Sequence, residues 1–466
     1  MKRNKIIQTG KIIAIALLIS SSTIAQTKQP TRTEQQPATP TVVALSAQQA
    51  IDYGMKNSYQ VKNALLDVLV QRQQNRELTA SALPQINATG SLTDYLDIPV
   101  TLIPAKAFDT TAPSNLYEPL KFGTKWNSGA SITLRQVLFD GQVFVGLAAR
   151  KTVMDQRQAS ADVTQINIKA NIYKVYYQLV AGKTQINLLD ANIDRLQKLN
   201  HDTKEIYKNG FAEKLDVDRL TVQITNLQTQ ELETKNNIAN GYTGLKILIG
   251  MPVRDSLVLT DTLSEDQIKQ NILENSNYNY ADRKEYQISV LGNKLNELTV
   301  KRYQQSQIPT LYFNGSYGKQ GYSDNNNLDI FDANSSWYTT SYIGLNLSVP
   351  IFNGFSTRAK IQESKYQLQQ SQNQLENTKL TIDNDVAVAK NNLTTSIATM
   401  DFQKQNMDLA TTVYDQTKKK YEVGTGSLTD INNAQSDLQT AQTNYLTALY
   451  QAIIAKVDFL KAVGKL

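Results

Sequence analysis

Residues 355–421 form a run of about 66 positions without a proline, in which Leu375, Ile382, Val386, Ala389, Leu393, Ile397 and Met400 follow the three-four-seven spacing of a coiled-coil seam. Ile172, Val175, Leu179, Ile186, Leu189, Ile193 and Leu196 repeat that spacing in a second proline-free run after Gly141. Gln, Asn, Thr and Lys fill most of the other positions. A helix of this size is roughly 100 Å long at about 1.5 Å per residue, and compact domains do not use such helices. A narrow apolar seam also needs neighbours on both sides. The chain is therefore constrained to a bundle or tube of long helices.

The landmarks around the two runs occur twice. Phe139-Asp140-Gly141 returns as Phe352-Asn353-Gly354 after 213 positions, and Tyr207-Lys208-Asn209-Gly210 returns as Tyr421-Glu422-Val423-Gly424 after 214. Gly250 returns as Gly464, again after 214. A repeat of this size is a structural subunit used twice rather than a solenoid unit. The expected division is a signal peptide at 1–25, a flexible Pro/Thr/Gln-rich tether at 26–43, a first repeat at 44–250, an inter-repeat segment at 251–279 and a second repeat at 280–466. Each repeat reads as helix, β-hairpin, long helix, turn and long helix, with hairpins at about 84–139 and 309–352. Pro84 and Pro309 end the preceding helices, one expected from residue 45 with a break after Asn57, the other from about 281 to 307.

Strand-like alternation follows each of these prolines. Ile86, Ala88, Gly90 and Leu92 alternate with polar residues, as do Leu311 and Phe313 and, on a returning strand, Ile343, Leu345 and Leu347. Residues 131–139 alternate less cleanly. Runs of about 10 residues match a tilted transmembrane strand, and a half-buried sheet in a soluble domain would show the same period. The aromatic residues favour a membrane. Tyr95, Trp126, Tyr317, Tyr322, Trp337 and Tyr338 gather towards one end of the strands, as interfacial girdles do. The loops they flank, 97–125 and 323–336, read as polar and irregular.

The N-terminus carries Lys2, Arg3, Lys5 and Lys11, an apolar core at 12–19 and a small-residue cleavage site, Thr23-Ile24-Ala25. Cleavage there removes four cations and lowers the net charge of +6 to about +2, so basicity gives no argument for nucleic-acid binding. Beyond this segment no apolar stretch reaches the ~20 residues of a spanning helix, so a membrane crossing would require strands in a closed barrel. Zero cysteines and one histidine, His201, remove thiolate nucleophiles and Cys- or His-pair metal sites. No cluster marks catalysis, a metal or a cofactor. Gly424-Thr425-Gly426 lacks the lysine and the preceding strand of a phosphate loop. Asp383-Asn384-Asp385 lacks the remaining ligands of a calcium loop and reads as solvated helix surface or tunnel lining.

The junctions Val137-Leu138-Phe139-Asp140-Gly141 and Val349-Pro350-Ile351-Phe352-Asn353-Gly354, and the turns beginning at Tyr207 and Tyr421, resemble those of TolC-type outer-membrane channels. The resemblance spans residues 45–466. It implies an α+β membrane protein of two tandem repeats, each a β-hairpin plus long coiled-coil helices, forming a homotrimer with a twelve-stranded barrel and an α-helical periplasmic tunnel. It also implies a passive, non-enzymatic exit duct in outer-membrane lipid, extending into the periplasm. Its expected partners are a periplasmic adaptor and an inner-membrane transporter. Its expected cargo is small molecules, the alternatives being a type I protein secretion duct or a non-conducting periplasmic coiled-coil structural or adaptor protein.

By the same resemblance Asp430 belongs to a ring at the tunnel constriction, and a second carboxylate ring falls at Asn433. Tyr421 would hold the closed state by bonding to Asp216, while the arginine that reinforces this lock falls at Gly426, leaving Arg219 as a substitute. Asp216 and Asp430 also read as caps of the returning helices, Asp216 more than Asp430, and the two roles can coexist. Gly210 and Gly424 read as helix ends at positive φ. With Tyr207 and Tyr421 they shape the turns on which an adaptor would dock. Phe139, Gly141, Phe352 and Gly354 mark the strand-to-helix junctions.

Overall fold

The computed structural model describes residues 42–269, 278–324 and 337–466. The expected signal peptide, nearly all of the tether and most of the 323–336 loop lie outside the described residues. The chain divides into two compact units.

The first unit comprises Asn75–Ala148 and Lys301–Gln362. Its centre is a four-stranded antiparallel sheet of β2 (Gln85–Asp94), β5 (Trp126–Phe139), β7 (Thr310–Ser323) and β8 (Trp337–Ser348), in the order β2-β5-β7-β8. Proline is absent from all four strands, so every backbone N–H can enter a ladder. A register shift between Val137 and Phe139 marks the end of β5.

The loop expected to be irregular contains a second sheet. β3 (Val100–Pro104) pairs antiparallel with β4 (Tyr117–Lys121), Leu102 opposite Pro119, with a 3-10 turn at Ala105–Ala107. Both strands are edges, where proline costs no ladder bond on the open side. The short, proline-broken apolar runs hide this hairpin from a periodicity reading.

The second unit comprises residues 42–74, Ala149–Val300 and Glu363–Leu466. The expected tether ends early, because Val42 and Val43 already belong to β1 (Val42–Leu45), which pairs in parallel with β6 (Ser256–Leu259). The Tyr176 hydroxyl ties this pair together, donating to the Leu45 carbonyl at 2.9 Å and accepting from the Asp261 N–H at 3.1 Å. α1 (Ala47–Asn57) starts with a capping box between Ser46 and Gln49. At Ser58 ψ turns to 128°, breaking the chain into α2 (Tyr59–Ala80), which continues into the first unit.

The long runs are α3 (Gly141–Lys208, 68 residues) and α7 (Ser356–Glu422, 67 residues), each returning through a shorter helix, α4 (Lys214–Ile249) or α8 (Leu428–Ala462). The remaining helices are α5 (Asp266–Lys269) and α6 (Lys284–Gln305). The heptad residues are the ones that pack. Leu189, Ile193 and Leu196 of α3 meet Leu220, Ile224 and Leu227 of α4, Tyr414 of α7, and Leu428, Ile431 and Leu438 of α8 in one buried layer. Ile382, Val386, Ala389, Leu393 and Met400 of α7 pack with Leu449, Ala452, Ile453 and Phe459 of α8.

Asp383 and Asp385 are not free helix surface. Asp383 accepts the hydroxyls of Tyr278 and Tyr280 at 2.5 and 2.8 Å, which hold its carboxyl below its ordinary range. Asp385 lies 3.3 Å from Arg283, a buried guanidinium that also donates to the Ala462 carbonyl at 2.7 Å. Sequence spacing does not register the tyrosines that reach over from another segment.

The four-helix layer can be tested by one substitution. Leu220→Ala empties a fully buried position, and an expected loss of about 2–5 kcal/mol is checked by the thermal unfolding of the helical circular dichroism signal.

Candidate functional site

The ladders align side chains across the sheet of the first unit into rows. One face carries the row Ile86–Leu134–Gly315–Ile343 and, beside it, Ala88–Ile132–Tyr317–Ser341 and Gln136–Phe313–Leu345. The other carries Asn87–Thr133–Ser316–Tyr342 and Thr89–Ser131–Gly318–Thr340, with Thr89 and Ser131 joined by a 2.9 Å hydrogen bond. The apolar face is open: Ile343 is 80% exposed, Leu345 68% and Ile86 69%. Trp126, Tyr322, Trp337 and Tyr338 gather at one end of the strands, the rings of Tyr322 and Tyr338 6.0 Å apart. Among the described residues, β2 and β8 each keep one edge without a strand partner.

The two strand-to-helix junctions differ. At the first, buried Asp140 caps α3 by accepting the N–H of Gln142 at 2.9 Å, and its other oxygen accepts the Tyr312 hydroxyl at 3.0 Å. A Cβ on Gly141 would lie 2.9 Å from Cβ of Gln305, so only glycine fits. Phe139 packs edge-on to Phe144, centroids 5.6 Å apart. At the second, Gly354 and Phe355 stand consecutively at φ 64° and 65°, and Phe355 is the only non-glycine at positive φ among the described residues. Phe352 packs edge-on to Phe355 at 5.4 Å, yet both rings remain largely exposed.

In the second unit the helix-end turns are set by glycine. Gly210 and Gly424 have φ of 77° and 76°, and their N–H groups donate to the carbonyls of Tyr207 and Tyr421. At the second turn Thr425 and Gly426 both donate to the Lys420 carbonyl, at 2.9 and 3.0 Å. This draws residue 426 against the end of α7, where a Cβ would lie 3.0 Å from the Tyr421 nitrogen. Any side chain at 426, arginine included, would need the end of α7 to give way by a few tenths of an ångström. Tyr207 and the neighbouring Phe211 and Val423 are exposed.

The expected bond between Tyr421 and Asp216 is not made in the chain. The Tyr421 hydroxyl lies 3.3 Å from Oγ1 of fully buried Thr203, on α3, while Asp216 sits in the first turn of α4. Thr203 falls in step with the heptad and carried no sequence signal of its own. Asp430 is in a capping box: its N–H donates to Ser427 Oγ at 3.1 Å and its carboxylate accepts the Ser427 N–H at 3.2 Å. Those bonds hold its carboxyl below its ordinary range. Asp430 and Asn433 lie on the same exposed stripe of α8, which continues to Asp437, a carboxylate one turn further on that the turn motif did not indicate.

Beneath the turns lies a buried polar layer. Gln435 donates to Asn192 at 2.7 Å, Asn192 donates to Gln442 at 3.2 Å, and the Arg195 guanidinium donates to Asn192 at 2.5 Å. The same guanidinium stands 5.7 Å from the Tyr414 ring. Such a layer fixes the register between α3 and α8.

Residues 298–465 match the outer membrane efflux protein family. TolC of Vibrio cholerae is 21% identical over 72% of this chain and 76% of its own length. The chain is similar to the TolC-type outer-membrane channels. The alkaline protease secretion protein AprF of Pseudomonas aeruginosa is 22% identical over 70% of this chain and 67% of its own. The fold matches the crystal structure of the Campylobacter jejuni CmeC outer membrane channel, with a TM-score of 0.71 and 19% identity over 90% of this chain and 85% of that one. Like these channels, the protein is not an enzyme. It resides in the outer membrane, extends into the periplasm and acts as an efflux or secretion duct.

The α8 cap carries its own test. A carboxyl with a lowered pKa stabilises the fold above its ordinary value and loses that contribution as pH falls through the lowered one. At neutral pH, Asp430→Ala should speed trypsin cleavage after Lys418, Lys419 or Lys420 about threefold. In the unsubstituted chain, hydrogen exchange at residues 427–431, corrected for its intrinsic pH dependence, should begin to rise below about pH 4. The alanine variant should show no such step.

Proposed function

We propose that the protein is the passive outer-membrane exit duct of a tripartite export system, a homotrimer whose twelve-stranded barrel opens into an α-helical periplasmic tunnel. In this reading residues 44–250 and 280–466 are the two repeats that give the ring its pseudo-sixfold arrangement. The observation that carries it is the four-stranded sheet with an open apolar face and two unpaired edges. In hydrocarbon an unpaired edge is prohibitively costly, so further strands must close the sheet, and three copies supply a barrel of ordinary size. A soluble structural or adaptor protein has no use for such a face.

The register within the chain specifies how copies would join. Matching Pro84 to Pro309 aligns β2 with β7, and matching Phe139 to Phe352 aligns β5 with β8. Thr133 lies opposite Ser316, so Asn346 of one copy should lie opposite Ser91 of the next. The chain has no cysteine, which makes this readable. The variant carrying Ser91→Cys and Asn346→Cys should run as disulfide-linked trimers on a non-reducing gel. The pair Ser91→Cys with Leu345→Cys, offset by one residue onto opposite faces, should not. Monomers alone, or a ladder ending at another number, would exclude the trimeric barrel in this register.

Energy for transport comes from the partners, a periplasmic adaptor docking at the turns around Gly210 and Gly424, and an inner-membrane transporter. The cargo is small molecules, in keeping with the efflux family the sequence matches. The likeness to AprF favours type I protein secretion as the second reading. The tunnel constriction is assigned to the α8 stripe, where Asp430 and Asp437 flank Asn433 and three copies bring six carboxylates to the axis. Asp216 and Tyr421 line the same end. In planar bilayers the channel should be cation-selective, and replacing Asp430 and Asp437 by Asn should abolish most of that preference. Unchanged selectivity would place the stripe away from the axis.

A further inference from the structure

The chain repeats its strand-to-helix junction, yet covers only one of the two. At the first, Asp140 and Gly141 are buried. The Tyr312 hydroxyl donates to Asp140 at 3.0 Å, and Gln305, the last residue of α6, stands against Gly141. At the second, Asn353 and Gly354 are exposed, and a Cβ on Gly354 would meet nothing within 4 Å among the described residues. Ile351 is 94% exposed and Phe352 75%, and the ring of Phe355 is open as well. Water penalises an apolar cluster of this kind.

The strand order β2-β5-β7-β8 accounts for the difference. The first junction follows β5, beside which β7 lies, and the elbow from α6 into β7 supplies the cover. The second junction follows β8, the last strand of the sheet. An equivalent elbow exists in the first repeat. Ser81-Ala82-Leu83-Pro84 corresponds to Ser306-Gln307-Ile308-Pro309, which puts Ala80 in the place of Gln305 and Leu83 in that of Ile308. In its own chain this elbow leads into β2, at the opposite edge of the sheet from β8, and Leu83 is exposed. We infer that the second junction is a socket for a second copy of this chain, whose residues 80–84 lie over Gly354 with Leu83 among Ile351, Phe352 and Phe355. The socket rests on the barrel proposed above, in which β2 of one copy follows β8 of another, and adds to it a contact outside the sheet. The two joints differ in chemistry. Within the chain Tyr312 bonds to Asp140, whereas Asn87 and Asn353 hold those places between copies, so the seal there is mainly apolar.

Photocross-linking of the full chain in lipid discs provides the test, with p-benzoylphenylalanine in place of Phe352. Irradiation should link chains into dimers and trimers, the attachment mapping to residues 77–87 of the other copy. In place of Phe139, whose junction its own chain covers, the analogue should leave monomers. Leu83→Asp should lower the yield from position 352 at least about tenfold, the value of one leucine contact. Position 355 serves if the first variant does not fold. The variant carrying Ser91→Cys and Asn346→Cys is run in parallel. Disulfide-linked trimers without photolinks from 352 or 355, photolinks that map elsewhere, or equal yields from 139 and 352 would overturn the socket and leave the barrel. Loss of both kinds of link would overturn the barrel and the socket together.

Discussion

The sheet of the first unit turns on the need of backbone N–H and C=O groups for partners, which is most severe in a medium without water. Four strands satisfy their own inner edges and leave two outer ones. The face that carries Ile86, Ile132, Ile343 and Leu345 lies open in one chain, although water penalises it. In the trimeric barrel proposed above, lipid would cover this face and strands of two further copies would cover the edges. The polar face of Asn87, Thr133 and Ser316 suits the opposite medium, a wet lumen.

The second unit answers a different need. Its helices are amphipathic only along narrow seams, so the fold gathers α3, α4, α7 and α8 around one layer of heptad residues and seals their ends with glycine turns and a capping box. Placing Asn192, Gln435 and Arg195 within such packing fixes register at some cost in stability. Near the turns the side chains serve local structure first. Asp430 caps a helix, Tyr421 contacts Thr203, and Gly426 yields its space to the end of α7. A carboxylate engaged in capping still presents its charge to solvent, so the cap is compatible with the role proposed for Asp430 at the constriction.

Much of this was legible without coordinates. The proline-free runs around Leu189 and Val386 became α3 and α7, Pro84 and Pro309 precede β2 and β7, and the break after Asn57 falls between α1 and α2. The glycines at 210, 250, 424 and 464 all adopt nearly the same positive φ. The reading was poorer where signals were short or remote. The β3–β4 hairpin hid in a proline-rich loop, and β1 took residues assigned to a tether. Asp383 and Asp385 gained partners from a segment about one hundred residues away in sequence.

What the sequence determined by itself was local: period, helix length, strand length, stops and turns. These depend on propensities and spacings within a few residues, which any stretch of chain carries with it. Tertiary structure alone decided the partners. It brought Thr203 to the Tyr421 hydroxyl, seated Asp140 under Tyr312 and aligned the rows of the sheet. Those pairings join residues tens to hundreds of positions apart. Their geometry follows from how the helices and strands pack, which no local pattern encodes.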